Sequence, residues 1–384
     1  PVLIARPLYS NSLPLPTLGC LVTGLLALVC GFLQLAGRVT LDVPFFPIAA
    51  GLLGAGFGLV LWNLGRTLWA ARPLGLPARF VVAGLFSVGA TVVFGIVFAL
   101  VLGGVTAYPH FLDVTTMGLP IHVIAGLGGW LTFTAMGVSY RLLAMFMLAP
   151  ELDRATTHGA FYAGASGLAF VIIGGALTIC FGGSLTTVLS AGGFLGFGAL
   201  ALYGRDILHL YRARKRRTIE LNSRTAAIAL ANLAAAAILI VILLAFGTLG
   251  RNVAAVVFLV SFGWLSGLGL AQLFKVVAFL TWLECYGPVL GKTATPRVQD
   301  LVVEHRAIKW FALYFLAVWA ATATLLLGQP LTFRIAAAVM VIATGGIIVQ
   351  LVRIRRLADV SAALRLPNGA RAPRLLLPWN YMSE

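Results

Sequence analysis

Three side chains, those of His110, Asp113 and His122, have the chemistry to bind a metal ion or a haem. A neutral imidazole binds haem iron, copper or zinc, and a carboxylate three positions from a histidine can share its ion. No third ligand of suitable spacing accompanies His110 and Asp113, so a loop packed over the helices is the alternative. His122 is either a haem ligand or a helix-end histidine hydrogen-bonded to a loop carbonyl.

The sequence around these residues is that of a membrane protein. Of the 384 residues, 60% are hydrophobic and only 10% are charged, and the mean hydropathy is +1.01, whereas soluble domains carry roughly 25% charged residues. A helix needs about 20 apolar residues to cross the hydrocarbon. Segments that qualify are 17–37, 45–64, 80–104, 119–148, 159–182, 185–204, 225–247, 253–283, 307–328 and 333–351. We therefore predict an all-α, polytopic bundle of about ten spans.

The basic residues predict how the chain is oriented. The net charge is +16, but Lys and Arg concentrate in alternate loops, as the positive-inside rule requires, and this excludes nucleic acid as a partner. The run at 212–217 sets topology or binds anionic lipid headgroups. Both termini are predicted on the cytoplasmic side. Of the five histidines, only His110 and His122 then lie in the outer half of the membrane.

A duplicated stretch divides the predicted domain into repeats. Gly129-Trp130-Leu131 recurs as Gly263-Trp264-Leu265, at an offset of 264 − 130 = 134 residues. Four spans separate the copies, so the repeating unit is four helices. We predict a single transmembrane domain over 1–352, with repeats at 1–70 (partial), about 79–205 and about 224–351, followed by a cytoplasmic tail at 353–384. Extending the repeat backwards predicts two helices before residue 1 and twelve in the full protein.

Two cations occupy equivalent places in the repeats, namely Arg141 and Lys275. We interpret both as anchors whose charge reaches the inner interface, with a pair between Lys275 and Glu284 as the alternative for the second. No acidic residue is placed in the central part of a predicted span, which argues against a proton pump. Transport is a weaker interpretation, because the spans are continuous and almost free of polar groups.

A family resemblance rests on the stretch from Met117 to Trp130, which contains His122. It is similar to the His-x-His-Leu-x-Leu-x-Gly helix of nitric oxide reductases and their short bacterial relatives in the haem-copper oxidase subunit I superfamily, and Met136 to Leu148 continues the similarity. The resemblance implies a bacterial inner-membrane protein. It aligns His122 with the first haem ligand of that helix and Ile124 with the second, whereas Val256 takes the place of His122 in the second copy.

Compared with the members of that superfamily, this chain lacks most of the residues that bind the cofactors. Its histidines are too few for two haems and a second metal, which argues against catalytic reduction of oxygen or nitric oxide. We expect one haem b at His122, serving respiratory or nitric-oxide-related electron transfer or sensing. The alternative is a cofactor-free accessory subunit of a larger respiratory or photosynthetic complex. Membrane lipids and other membrane subunits are the expected partners.

Overall fold

The computed structural model describes residues 3–4 and 6–373. It is 79% helical, with no strand among these residues. Ten of its helices are long and apolar enough to cross a membrane. They are α1 (Pro14–Leu35), α2 (Phe45–Ala70), α3 (Leu76–Leu102), α5 (Leu119–Met147), α6 (Ala155–Phe181), α7 (Leu185–Arg212), α8 (Leu221–Ala245), α9 (Leu249–Val289), α10 (Glu304–Leu326) and α11 (Pro330–Arg355). The short helices are α4 (Pro109–Met117) and α12 (Ala362–Arg365). The predicted all-α polytopic bundle and its ten spans are confirmed.

The helices form two compact units, with the boundary between Arg216 and Arg217. This boundary falls between the second and third predicted repeats. In the first unit α1 packs on α2, α3 on α5, and α6 on α7. In the second unit α8 packs on α9, and α10 on α11. Each unit therefore contains the same kind of helix pair, α3 with α5 or α8 with α9, next to a tight hairpin.

Glycine allows the close approach of the first hairpin. A Cβ atom added at Gly24 of α1 would lie 2.9 Å from Leu53, and one added at Gly56 of α2 would lie 2.8 Å from Leu21. Helices in lipid gain little from the hydrophobic effect, so they associate through such packing of small residues. Gly24 and Gly56 therefore fix the spacing of α1 and α2.

The sequence repeat is also a structural repeat. Both Gly-Trp-Leu copies lie in π-helical segments, Ile124–Phe133 within α5 and Leu259–Ser266 within α9. Gly129 packs against Ser87 of α3, and Gly263 against Asn232 of α8. The first residues of α3 and α8 differ by 221 − 76 = 145, and so do Ser87 and Asn232. The two helix pairs therefore correspond at these positions, with offsets of 145 for α3 and α8 and 134 for α5 and α9.

Part of the predicted C-terminal tail is folded. Asp359 accepts hydrogen bonds from Arg353 at 2.6 Å and from Arg306 at 2.9 Å. The Tyr286 hydroxyl of α9 donates to the carbonyl of Arg365 in α12 at 2.6 Å. These contacts hold the segment after α11 against α9 and α10. Residues 374–384 of the predicted tail lie outside the described residues.

Candidate functional site

A largely apolar cavity lies within the first unit. Its volume is about 500 Å³, and its walls come from α1, α2, α3, α4 and the first turn of α5. Four phenylalanines and several aliphatic side chains form most of the lining. The polar members are His122, Thr91 and Thr115. One imidazole therefore faces a volume within the range of about 300–1,000 Å³ that is usual for small-molecule sites.

The ring of His122 is held between α3 residues. It packs on the ring of Phe98 at a centroid distance of 5.3 Å. A Cβ atom at Gly95 would lie 3.3 Å from His122 Cε1 and 3.9 Å from Nδ1, so the absence of a side chain there makes room for the imidazole edge. By the two offsets, the second unit has Ile240 in place of Gly95 and Val256 in place of His122. The histidine and the space that Gly95 leaves beside it therefore occur in the first unit and have no counterpart in the second.

Nδ1 of His122 is buried and has no hydrogen-bond partner among the described residues. The ring does interact with the backbone of Thr91 on α3, which is part of a membrane helix and not of a loop. Burying a polar nitrogen without a partner costs free energy. A histidine retained at such a place is more easily explained by a ligand than by packing.

His110 and Asp113 lie on α4, where the sequence analysis placed a loop. Both side chains are exposed, and the His110 ring packs edge-on against Tyr108 at 5.6 Å. Within the described residues, no group of three or more His, Cys, Asp or Glu side chains is placed to hold a metal ion. The predicted metal pair thus supplies two exposed ligands on one helix, separate from His122.

The predicted pair between Lys275 and Glu284 is wrong. Lys275 Nζ lies 2.6 Å from a carboxylate oxygen of Glu220, and Glu284 pairs with Arg355 at 2.7 Å. Nine positions on an α-helix are two and a half turns at 3.6 residues per turn, so Lys275 and Glu284 point to opposite sides of α9. Arg141, the repeat counterpart of Lys275, is paired with Glu151.

Sequence reasoning missed a buried carboxylate, that of Asp206 in α7. It is fully buried and accepts hydrogen bonds from Tyr140 at 3.1 Å and from Thr156. Asp206 was overlooked because it lies beside Arg205 in a segment interpreted as a topology signal. Its helical spacing from other buried residues of α7 could have indicated that it is buried. Those residues are Gly192, Ala199, Tyr203, Ile207 and Leu210.

No family model, curated protein or solved structure significantly matches this chain. The fold by itself defines the class, an all-α polytopic membrane protein.

Proposed function

We propose that the cavity of the first unit binds one haem b, with His122 as its axial ligand. The observation that carries the proposal is a buried imidazole, without a hydrogen-bond partner for Nδ1, in the wall of an apolar cavity of about 500 Å³. The similarity of Met117 to Trp130 to a haem-binding helix supports the same residue. We place the protein with the haem-copper oxidase subunit I superfamily on this ground.

The residues of the cavity fit a haem held by one axial bond and apolar contacts. The Cε1–Nδ1 edge of His122 faces Gly95, and the imidazole is the side chain of the lining that would bind the iron. The lining has no second histidine, cysteine or methionine and no cation for the haem carboxylates. Such a site would hold haem through a single imidazole.

The protein residues orient the ring and exclude water. Phe98 and the bare backbone of Gly95 fix the plane of the His122 imidazole. A bound haem would supply one-electron transfer or binding of a small gas. This chemistry suits electron transfer or sensing in respiration or nitric oxide metabolism.

The test is an absorption spectrum of the full chain purified from haem-supplied cells. We expect a Soret band at stoichiometric occupancy, lost in His122→Ala and weakened in Gly95→Ile, which introduces the residue of the second unit. His110→Ala is the matched control and keeps the band. Absence of a stoichiometric band, or an unchanged band in His122→Ala, would contradict the proposal and favour a cofactor-free subunit.

The membrane and the orientation belong to the same proposal. The alternation of basic loops supports the inner membrane of a bacterium, with both ends of this chain in the cytoplasm. Reporter fusions after α2 and after α3 would test it. A reporter active only outside the cytoplasm should be inactive after α2 and active after α3, and the reverse result would invert the topology.

A further inference from the structure

A second cavity, of about 380 Å³, lies within the second unit. It is formed by the N-terminal end of α8, the middle of α9 and the segment that leads into α10. Seven of its ten lining residues are polar or charged, unlike those of the His122 cavity. The side chains used below are those of Glu220, Asn222, Arg224, Lys275, Gln299 and Glu304.

An ion pair forms the rigid wall of this cavity. Lys275 Nζ lies 2.6 Å from one carboxylate oxygen of Glu220, and Gln299 donates its amide hydrogen to the other at 2.7 Å. The Lys275 and Glu220 side chains are 14% and 9% exposed. Both carboxylate oxygens of Glu220 therefore have partners, whereas the Lys275 ammonium has three hydrogens and, among the described residues, only Glu220 as an ion-pair partner.

Two further charged groups lie at the mouth of the cavity, and both are exposed. Arg224 uses its Nε to donate to the carbonyl of Ile219 at 2.9 Å, and none of the described residues forms an ion pair with it. One carboxylate oxygen of Glu304 accepts from the backbone N–H of Leu221 at 3.0 Å. A guanidinium and a carboxylate therefore flank the same opening.

Asn222 adds an unmet hydrogen-bond donor. The residue is 2% exposed, and within the described part of the chain its Nδ2 has no partner. Together with Lys275 and Arg224 it makes the cavity rich in unused donors, and Glu304 adds one anionic acceptor. The complementary ligand carries an anionic, acceptor-rich group and, a few atoms away, a cation that donates hydrogen bonds.

We propose that this cavity binds a phosphoethanolamine group, with the phosphate on Arg224 and Lys275 and the primary ammonium on Glu304. Charge-assisted hydrogen bonds from Arg and Lys are the usual means of holding phosphate. The cavity lies at the predicted inner end of apolar helices, at the depth of lipid headgroups. The group can come from a phospholipid headgroup or from a soluble phosphoethanolamine.

The first unit provides a natural control for the proposal. Arg79 corresponds to Arg224, since 224 − 79 = 145, and its Nε donates to the carbonyl of Leu74 at 3.2 Å in the same way. At the same offset, Gly75 and Pro77 stand in place of Glu220 and Asn222. The corresponding cavity is smaller, about 200 Å³. Arg141, the counterpart of Lys275, and Glu151 line it, whereas Arg79 is not among its lining residues.

The experiment measures lipid binding to the purified, delipidated full chain by native mass spectrometry. Phosphatidylethanolamine should bind more tightly than phosphatidylcholine, whose quaternary ammonium donates no hydrogen bond, and than phosphatidylglycerol, which has no cation. Arg224→Ala should weaken phosphatidylethanolamine binding about tenfold. Glu304→Gln, which keeps an acceptor for Leu221, should abolish the preference over phosphatidylcholine. Arg79→Ala should change neither result.

A second arm uses O-phosphoethanolamine and inorganic phosphate in a thermal-shift assay. Stabilisation by O-phosphoethanolamine, lost in Arg224→Ala, would identify a soluble source of the same group. Equal binding of the three lipids with no effect of O-phosphoethanolamine, or binding that Arg224→Ala and Glu304→Gln leave unchanged, would overturn the proposal. Because both substitutions are at exposed positions, folding of the variants is expected to be preserved.

Discussion

Replacing Glu220 by glutamine removes the counter-charge of Lys275 and should destabilise the second unit. Lys275 has no other ion-pair partner among the described residues, and the two side chains are 14% and 9% exposed. Unit charges 4 Å apart attract each other by about 4 kcal/mol at an effective dielectric constant of ~20. The glutamine oxygen keeps part of the hydrogen bond, so we expect the free energy of unfolding to fall by about 3 kcal/mol.

The ion pair made by Arg141, the repeat counterpart of Lys275, is the control. Arg141 and Glu151 are 39% and 77% exposed, so Glu151→Gln should cost at most about 1 kcal/mol. Both variants can be compared by SDS titration in mixed micelles, followed by tryptophan fluorescence and circular dichroism. The double variant Glu220→Gln with Lys275→Met removes the uncompensated charge and should recover much of the loss. Equal effects of the two glutamine substitutions, or a double variant as unstable as Glu220→Gln, would refute the reasoning.

Two further predictions concern the second unit. In Gly346→Ala the new Cβ would overlap the indole of Trp310, whereas Gly345 has no atom within 4 Å of that position. We expect the first variant to lose about 1–3 kcal/mol of unfolding free energy in the SDS titration and Gly345→Ala to lose none. Hydrogen bonds from Arg353 lower the pKa of the Asp359 carboxyl. Its stabilising effect should be complete above about pH 4, the ordinary Asp value, and be lost as the pH falls through the lowered pKa. Asp359→Asn should lack this part of the acid dependence in thermal unfolding measured across pH.

The spans could be predicted from the sequence because the membrane simplifies the problem. An apolar run of sufficient length has to be a helix in lipid, since all of its backbone groups must be satisfied internally. Helix ends were harder to predict. The segment predicted as 185–204 continues as a helix to Arg212, because basic residues at the interface favour helix as readily as loop.

The polar contacts could not be predicted because they depend on neighbouring helices. Lys275 lies 55 positions from Glu220 in sequence, since 275 − 220 = 55, and only the packing of α8 on α9 brings them together. In the sequence Asp206 lies beside basic residues, and only the packing of α7 on α5 and α6 brings it to Tyr140 and Thr156. The choice of His122, in contrast, rests on its residue type, its apolar surroundings and the resemblance of its helix to a haem-binding helix, and it stays a prediction. The cavity in front of it depends on Gly95 of another helix.

The correspondence between the two units explains why each has a different cavity. In the pair α3 and α5, the space beside Gly95 admits His122, and the positions that would supply a polar wall are Gly75 and Pro77. In the pair α8 and α9, Ile240 and Val256 are apolar where the first unit has Gly95 and His122. Glu220 and Asn222 there supply the polar wall. The same scaffold has thus diverged at opposite ends of the helix pair. A ligand specific to one unit should therefore be lost when that unit receives the residues of the other.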